Sequence, residues 1–454
     1  NGEPVRLAYE RGDLGNPSPH YFLMRTRQPG VYANRYGPGT GLFAVPFVAA
    51  VYPFARDLYQ TPSAGILWYT AKVAACCAVA GSAVMLFLAA LPFLRRGTAI
   101  WLALAYGLGT CAWSASSQAL WQHGPTEFFL ALGTFFLLRR ERPCSAYWVG
   151  CSYALAFACR PTSALAGMAV AIYYLARDRK AFLRCVVGAA PAVLLLAAYN
   201  LHFFGKVMAF GQLGEVVTAV LQIPVEAVVG TAWAASAGDL FHASMLNGIG
   251  GSLISPSRGL LVFSPVVMFV FWGLVRVWRD RRFAVLRPVG LAALLMCLVV
   301  ARWHGWWGGW CYGYRLLMDS VTLMAFLAIP VAEEIRGSRI LTAVFAVCLA
   351  WSVAVQFVGA FAYDVTEWNN RTLFAVNRPG EATPLLFTDL NEARREAWAK
   401  GGSVEEKKFD VNWGPGHARL WSVRDSQILY YFEHFFESRR KKQMASEAFL
   451  RGSG

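Results

Sequence analysis

Ten apolar segments, separated by short charged connections, occupy most of residues 64–362. Lipid offers no hydrogen bonds to the backbone, so a segment that crosses a membrane has to fold as a helix or join a closed barrel. The chain is 56% hydrophobic and only 15% charged, with a mean hydropathy of +0.40, which excludes a soluble globular protein of this length. We predict membrane-spanning helices at 64–94, 97–121, 124–138, 145–159, 162–176, 182–200, 259–275, 287–301, 316–332 and 339–362, several of them shorter than the usual ~20 residues.

Basic residues divide unequally between alternate connections. The positive-inside rule assigns the basic-rich set to the cytoplasm, so 1–63, the loop 302–315 and the tail 363–454 are predicted to lie outside. Sixteen Lys and Arg belong to the basic-rich set: Arg95, Arg96, Arg139, Arg140, Arg142, Arg177, Arg179, Lys180, Arg184, Arg276, Arg279, Arg281, Arg282, Arg287, Arg336 and Arg339. Five belong to the other: Arg160, Lys206, Arg258, Arg302 and Arg315. The net charge of +15 is therefore expected to orient the chain in a membrane and not to bind nucleic acid.

The predicted fold is an all-α polytopic membrane protein with three parts. Residues 1–63 form an outer-face loop with an interfacial helix at 41–54, residues 64–362 form the helical bundle, and residues 363–454 form an outer-face tail. A chain that starts outside implies one further transmembrane helix upstream of Asn1. In the long outer loop 201–258, the apolar middle 215–235 predicts one or two more interfacial helices.

The loop 302–315 combines four tryptophans, two tyrosines and four glycines with an arginine at each end. Trp and Tyr accumulate where hydrocarbon meets water, so an aromatic belt at the membrane boundary is one interpretation. The alternative is a ligand site, because a fixed cation beside aromatic planes suits an anionic or sugar-bearing ligand.

Polar side chains also mark the predicted outer ends of the helices, among them His123, Glu127, Arg160, Arg258 and Arg315. Ionisable groups at membrane depth usually face a cavity and mark function. Each has a structural alternative as well: His123 can cap a helix, Glu127 can pair with Lys72 or Arg160, and either Arg160 or Arg258 can be an ordinary interface arginine.

The sequence contains no P-loop and no GxSxG, HExxH or CxxC motif. The ten cysteines lie mostly in apolar segments, which argues against a disulfide framework or a zinc site. Arginines and a carboxylate at the outer face would suit transfer from a lipid phosphate. Arginine stabilises the charge that develops on a departing phosphate, and a carboxylate can take a proton from the acceptor.

A series of short motifs resembles the GT-C membrane glycosyltransferases, in the bacterial branch related to protein O-mannosyltransferases and aminoarabinose transferases. The motifs follow one another along nearly the whole chain. They are Arg35-Tyr36-Gly37-Pro38-Gly39-Thr40 through Pro46, Gln122-His123-Gly124-Pro125, Arg160-Pro161, Tyr199-Asn200 with Phe204-Gly205, Ser255-Pro256-Ser257-Arg258-Gly259-Leu260 with Ser264-Pro265, Trp307-Gly308-Gly309 with Tyr312-Gly313-Tyr314-Arg315, and Arg419-Leu420-Trp421 with Asp425-Ser426-Gln427.

The resemblance implies transfer of a sugar from a polyprenyl-phosphate donor to an acceptor outside the cytoplasm, in a bacterial inner membrane. It also implies an acidic base in the first outer loop. Glu3 stands nearest to that place, where the family has Asp, and Asp13 is a second candidate. The base is therefore Glu3, or an Asp upstream of Asn1, or absent from a degenerate member. Arg258 and Arg315 are expected to hold the phosphate, with Arg160 and His123 in support, and Tyr36, Trp307, Tyr312 and Tyr314 to line the sugar and lipid pocket.

Three further expectations follow. The sequence identifies no certain cofactor, and a divalent metal is possible but not indicated. The partners are the polyprenyl-phosphate sugar and membrane lipid, with subunits of a membrane complex as a further option. Two other functions are possible interpretations: a catalytically inactive GT-C-like scaffold in such a complex, and a lipid or solute transporter. Transporters usually show two related halves and helices that are broken near the membrane midplane.

Overall fold

The computed structural model describes residues 23–28, 31–34, 36–55, 65–142, 144–208, 241–365, 367–380, 384–387, 389–412 and 414–450. The predictions on Glu3, Asp13 and the apolar stretch 215–235 lie outside the described residues. Within them the protein is mostly helical. The helices of the first 362 residues are α1 Gly39–Ala55, α2 Gly65–Ala90, α3 Arg96–Gly109, α4 His123–Leu138, α5 Ser145–Cys159, α6 Ala164–Arg177, α7 Arg179–Phe204, α8 Met245–Ile254, α9 Leu260–Phe263, α10 Met268–Arg279, α11 Arg287–Arg302, α12 Met318–Leu327, α13 Ile329–Gly337 and α14 Arg339–Ala362.

Each of the ten predicted segments contains a helix, and the segments 145–159 and 339–362 match α5 and α14 end to end. Four helices are long and apolar enough to cross a membrane, and the bent pair α12 and α13 makes a fifth if it counts as one span. The four are Trp68–Ala90, Arg179–Phe204, Arg281–Arg302 and Arg339–Ala362. The described chain is thus a membrane-type helical bundle, with α1 present where an interfacial helix was expected.

Three of the predicted segments are interrupted, because they contain residues that do not continue a helix. Segment 97–121 ends its α-helix at Gly109 and continues through a π-helical turn, Ala112–Ser116. Segment 259–275 breaks at Ser264-Pro265, between α9 and α10. Segment 316–332 bends by 60° between α12 and α13, where Pro330 occupies the first turn of α13. Proline lacks the N–H that a helix interior requires.

Small residues allow a close contact between α5 and α7. A Cβ on Gly150 would lie 1.8 Å from the carbonyl oxygen of Cys185, and one on Gly188 would lie 2.0 Å from that of Tyr147. Glycines let two helix backbones approach in lipid, where packing replaces the hydrophobic effect as the source of association. This contact packs the first half of α5 directly on α7.

The tail corrects the all-α prediction, because part of it folds as a sheet. Strands β3 Asn370–Asn377, β4 Leu385–Phe387 and β5 Ser403–Asp410 form an antiparallel sheet in the order β4-β3-β5, with Phe374 opposite both Phe387 and Glu406. Helix α15 Leu390–Lys400 buries Ala393 and Ala397 against it. Burial along β3 does not simply alternate: Leu373 and Ala375 are buried on one face and Val376 is buried on the other, against α15. A hairpin of β1 Leu23–Arg25 and β2 Tyr32–Asn34 precedes the bundle, and α16 Gln427–Glu433 and α17 Phe435–Leu450 end the described chain.

Candidate functional site

Three charged or polar side chains meet inside the bundle where α4, α5 and α12 come together. We call His123, Arg160 and Asp319 the ion cluster. Arg160 Nη1 lies 2.5 Å from Asp319 Oδ2 and 3.1 Å from His123 Nδ1, and His123 Nδ1 lies 3.5 Å from Asp319 Oδ1. All three residues are buried. A buried arginine needs such partners, because removing its charge from water is costly.

Local sequence explains how the ion cluster is positioned. His123 begins α4, and Asp319 lies in the first turn of α12. Arg160 directly follows α5 and precedes Pro161; a residue before proline is pushed out of the helical region, and Arg160 is extended, with φ −149° and ψ 122°. That turn directs Arg160 across the bundle, where Nη1 also approaches the carbonyl oxygen of Leu316 at 3.5 Å.

Asp319 was not among the predicted site residues, although a sequence signal for it exists. It is a carboxylate inside the apolar segment 316–332, which is the criterion that selected Glu127 in segment 124–138. Its Oδ1 atom has no hydrogen-bond partner among the described residues. The missed residue is therefore the carboxylate that pairs with Arg160.

Glu127 lies one turn along α4 from His123. Its hydrogen-bond partners are neither Lys72 nor Arg160, the two that the sequence suggested. Ser116 donates a hydrogen bond to its Oε1, and the Tyr106 hydroxyl donates to its Oε2 at 3.1 Å. Lys72 instead donates to the carbonyl and side-chain oxygens of Gln118, at 3.0 and 2.6 Å. The pairing of Glu127 with Lys72 or Arg160 is thus wrong, because hydroxyl groups satisfy its carboxylate.

Arg315 lies beside the ion cluster, four residues before Asp319. Its Nη2 donates to the carbonyl oxygen of Gly308 at 3.0 Å, and its guanidinium carbon lies 5.0 Å from the centroid of the Trp121 ring. Its Nε has no hydrogen-bond partner among the described residues. Nε is a buried atom, but the residue as a whole is half-buried, and a guanidinium that is only partly bonded by the protein can still bind a phosphate oxygen. Among Arg160, Arg315 and Asp319 there are two cations and one carboxylate, which favours an anionic ligand.

The segment Tyr36-Gly37-Pro38-Gly39-Thr40 packs against the end of α5. A Cβ on Gly37 would lie 2.4 Å from the carbonyl oxygen of Ala158, and one on Gly39 would lie 2.5 Å from its carbonyl carbon. Only glycine allows the backbone to come this close. Tyr36 is thereby brought to the part of the chain that leads into Arg160, and its place in a sugar and lipid pocket stays a prediction.

Arg258 differs from Arg315, because protein atoms occupy all of its guanidinium nitrogens. It is 1% exposed. Its hydrogen bonds go to the carbonyl oxygens of Ser257, Trp307 and Gly309 and to the side-chain oxygens of Asn369 and Gln427, at 2.8 to 3.2 Å. Five acceptors match the five N–H groups of a guanidinium. These contacts leave it no donor for a phosphate, and they join the loop 302–315 to the tail.

Two tail residues complete this junction: Gln427, which belongs to one of the motifs quoted for the resemblance, and Asn369, which sequence reasoning did not select. The Gln427 side chain accepts from Arg258 and from the Gly313 N–H at 3.0 Å, and it donates to the carbonyl oxygen of Cys311 at 2.9 Å. Asn369 accepts from Arg258 and belongs to the same junction. The Trp368 ring lies between two guanidiniums, 5.0 Å from Arg258 and 4.5 Å from Arg419. The tail therefore fixes the backbone of the loop that carries Arg315.

The loop aromatics are mostly anchors. The Tyr312 hydroxyl donates to the carbonyl oxygen of Val355 at 2.8 Å, and the Tyr314 hydroxyl donates to Ser264 Oγ at 2.6 Å. Both rings are buried. A buried tyrosine hydroxyl needs a partner, and both have found one in the protein. Their place in a sugar and lipid pocket stays a prediction.

Trp307 is also held by the tail. Its indole Nε1 donates to Asn412 Oδ1 at 2.9 Å, and its ring packs on His417 with centroids 4.4 Å apart. Burial lowers the pKa of His417, so the imidazole packs there as a neutral ring at neutral pH. Trp307 remains half-buried, beside the Gly308 carbonyl that holds Arg315.

No family model matches the chain, and no curated protein matches it in sequence. The described residues include no group of three or more His, Cys, Asp or Glu that could hold a metal ion.

Proposed function

We propose that this chain is a membrane glycosyltransferase of the GT-C type, which moves a sugar from a polyprenyl-phosphate donor to an acceptor on the extracytoplasmic face of a bacterial inner membrane. The observation that carries the proposal is Arg315, a guanidinium with an unused donor beside Trp121 and the buried ion cluster. Ionisable residues inside an apolar bundle usually mark function, and Arg315, unlike Arg258, is not saturated by protein acceptors.

The proposal includes ten membrane spans of alternating orientation. Contacts between the ends of the helices support this orientation. Arg95 donates its N–H to Glu333 Oε1 at 2.7 Å, and Arg336 Nη1 donates to Thr98 Oγ1 at 2.9 Å. These contacts join connections that the charge rule assigns to the cytoplasm. The ion cluster joins helix ends that the rule assigns to the outer face. If helix ends assigned to the cytoplasm had contacted helix ends assigned to the outer face, these contacts would have argued against the assigned orientation.

The proposed reaction displaces a phosphate from the sugar. The acceptor oxygen or nitrogen attacks the anomeric carbon, the bond from that carbon to the phosphate oxygen breaks, and the base takes the acceptor's proton. Negative charge grows on the departing polyprenyl phosphate, where Arg315 stabilises it. Arg160 and His123 act behind Arg315: they hold Asp319 and the start of α12, and so position the residue that contacts the phosphate.

Cysteine labelling tests the proposed orientation at four exposed positions. In a variant depleted of native cysteines, Lys206→Cys and Arg302→Cys should react with a membrane-impermeant maleimide added outside. Arg140→Cys and Gly337→Cys should react only after the membrane is opened, because their connections are predicted to be cytoplasmic. Labelling of Arg302→Cys from the cytoplasmic side alone would refute the arrangement.

Arg315→Lys tests the phosphate contact. Guanidinium binds phosphate through a planar fork and ammonium does not, so we expect the substitution to cost on the order of 1–3 kcal/mol of binding. The measurement is the Kd of purified protein for polyprenyl phosphate, which avoids any choice of sugar. Arg302→Lys is the matched control, because Arg302 is an exposed arginine of the same loop and should be silent. Equal affinity of the Arg315→Lys variant and the parent would remove Arg315 from this role.

A further inference from the structure

A cavity of about 440 Å³ runs along α3 inside the helical bundle. Residues of α3, α10, α12, α13 and α14 line it. Its α3 lining runs from Gly97 to Thr110, which corresponds to about 20 Å along the helix axis at 1.5 Å per residue. One leaflet of a bilayer has about 15 Å of hydrocarbon, so the cavity is long enough for the chain of a single lipid.

The space exists because small residues face one another across it. Six of the lining residues are Gly97, Ala105, Ala325, Ala328, Ala332 and Ala346. Larger apolar residues such as Leu102, Phe269 and Phe345 complete the wall. Trp101, Thr342 and Ala346 line it and are exposed, so the cavity opens between α3 and α14 toward the surroundings of the bundle. An apolar cavity with this opening suits hydrocarbon entering from the membrane.

Charge distinguishes one end of the cavity from the other. Arg336 alone is charged among the described residues that line it. Arg336 donates to Thr98 Oγ1 and makes no ion pair among the described residues. Its Nη1 lies 3.7 Å from the place of a Cβ on Gly97, so the guanidinium covers the first turn of α3, whose N-cap residue Arg95 offers no side-chain cap. The Arg95 N–H already donates to Glu333 Oε1 at 2.7 Å, so the helix end is not an open anion site, and the attraction for an anion comes from the Arg336 guanidinium.

We propose that this cavity binds one anionic phospholipid, with an acyl chain between α3 and α14 and the phosphate against Arg336. The argument rests on the cavity and on the single cation at its mouth, and it is independent of the proposed transferase activity. By the charge rule, this mouth faces the cytoplasmic leaflet, whereas Arg315 faces the outer one. The lipid is therefore a second ligand, bound apart from the donor.

The test is native mass spectrometry of the full chain in detergent, titrated with phosphatidylglycerol or with phosphatidylcholine of the same acyl chains. We expect one phosphatidylglycerol per protein, bound more tightly than phosphatidylcholine. Ala346→Phe should weaken binding about tenfold or more, a change of roughly 1.4 kcal/mol, because the ring fills the opening. Ala343→Phe is the matched control: Ala343 is an exposed alanine of the same helix that does not line the cavity, so it should bind as the parent does.

Arg336→Gln should remove most of the preference for phosphatidylglycerol and leave phosphatidylcholine binding unchanged, whereas Arg140→Gln, at an exposed arginine outside the cavity, should change neither. Equal binding by the Ala346→Phe and Ala343→Phe variants would overturn the proposal. Loss of polyprenyl-phosphate binding in Ala346→Phe, with phosphatidylglycerol unaffected, would also overturn it, because the cavity would then hold the donor's chain. That second result would leave the proposed function standing.

Discussion

Asp319→Asn is expected to lower the free energy of unfolding by about 3–5 kcal/mol, the usual cost of leaving one member of a buried ion pair without its partner. Arg160 is 7% exposed and Asp319 is 1% exposed, so water cannot replace the lost carboxylate. The variant keeps the shape of the side chain and removes only its charge. Unfolding of the purified protein in mixed micelles with increasing SDS would measure the loss.

The pair Arg276–Glu334 provides the control. It is also an ion pair between helices, but its side chains are 42% and 37% exposed. Glu334→Gln should therefore cost ~1 kcal/mol or less, because solvent screens exposed pairs. A comparable loss in both variants would show that burial does not set the strength of the Arg160–Asp319 contact.

A double variant distinguishes the contribution of the Arg160–Asp319 ion pair to stability from its contribution to the binding of polyprenyl phosphate. Arg160→Gln with Asp319→Asn removes both charges, and we expect it to regain much of the stability that Asp319→Asn loses, because no unpaired charge remains. Affinity for polyprenyl phosphate should stay low in the double variant, since Arg160 and Asp319 hold the start of α12 on which Arg315 depends. Recovery of stability and affinity together would show that the pair has no role in the site.

The helices could be predicted from sequence because their signal is local. An apolar segment of sufficient length has to satisfy its own backbone hydrogen bonds in lipid, whatever packs beside it. Segment 339–362 shows this: it is uniformly apolar and becomes α14 without a change of boundary. Segment 97–121 shows the limit, because its second half contains Ser114, Ser116 and Ser117, whose side chains bond locally and to Glu127 or Gln356 instead of continuing a helix.

The site could be predicted only in part, because the direction of a side chain depends on what packs around it. Arg258 and Arg315 are both arginines at the outer ends of predicted spans, yet Arg258 is saturated by Asn369, Gln427 and three carbonyls while Arg315 keeps an unused donor. The acceptors of Arg258 come partly from the tail, more than 100 residues away in sequence. No local pattern reveals such a contact. Asp319 is the opposite case, since a lone carboxylate in an apolar segment was visible in the sequence.

The strands of the tail were missed for a different reason. Strand β5 carries Glu405, Glu406 and Lys407 in succession, so its sequence lacks a clear apolar alternation. It pairs along the whole length of β3, whose Leu373, Ala375 and Val376 are buried. Backbone hydrogen bonds to β3 fix the position of β5. Exposed charged side chains on β5 do not prevent these hydrogen bonds.

Glu3→Gln is expected to lower turnover by about 100-fold or more if Glu3 is the base, the usual size of a general-base contribution. Glutamine keeps the size and hydrogen-bonding capacity of glutamate but cannot accept the proton of the acceptor. Affinity for polyprenyl phosphate should not change, because Arg315 and not Glu3 is proposed to hold the phosphate. The measurement is release of polyprenyl phosphate from polyprenyl-phosphate mannose and polyprenyl-phosphate aminoarabinose, alongside the Kd for polyprenyl phosphate.

Asp13→Asn is the matched comparison, because Asp13 is the second acidic candidate of the same segment. A loss in Asp13→Asn with Glu3→Gln silent would move the base to Asp13. If both variants turn over as the parent does, neither Glu3 nor Asp13 is the base. If the parent itself releases no polyprenyl phosphate from any supplied donor yet still binds polyprenyl phosphate, the chain retains the anion site without the chemistry. That outcome identifies an inactive GT-C-like subunit, whose Arg315 binds a lipid phosphate without transferring a sugar.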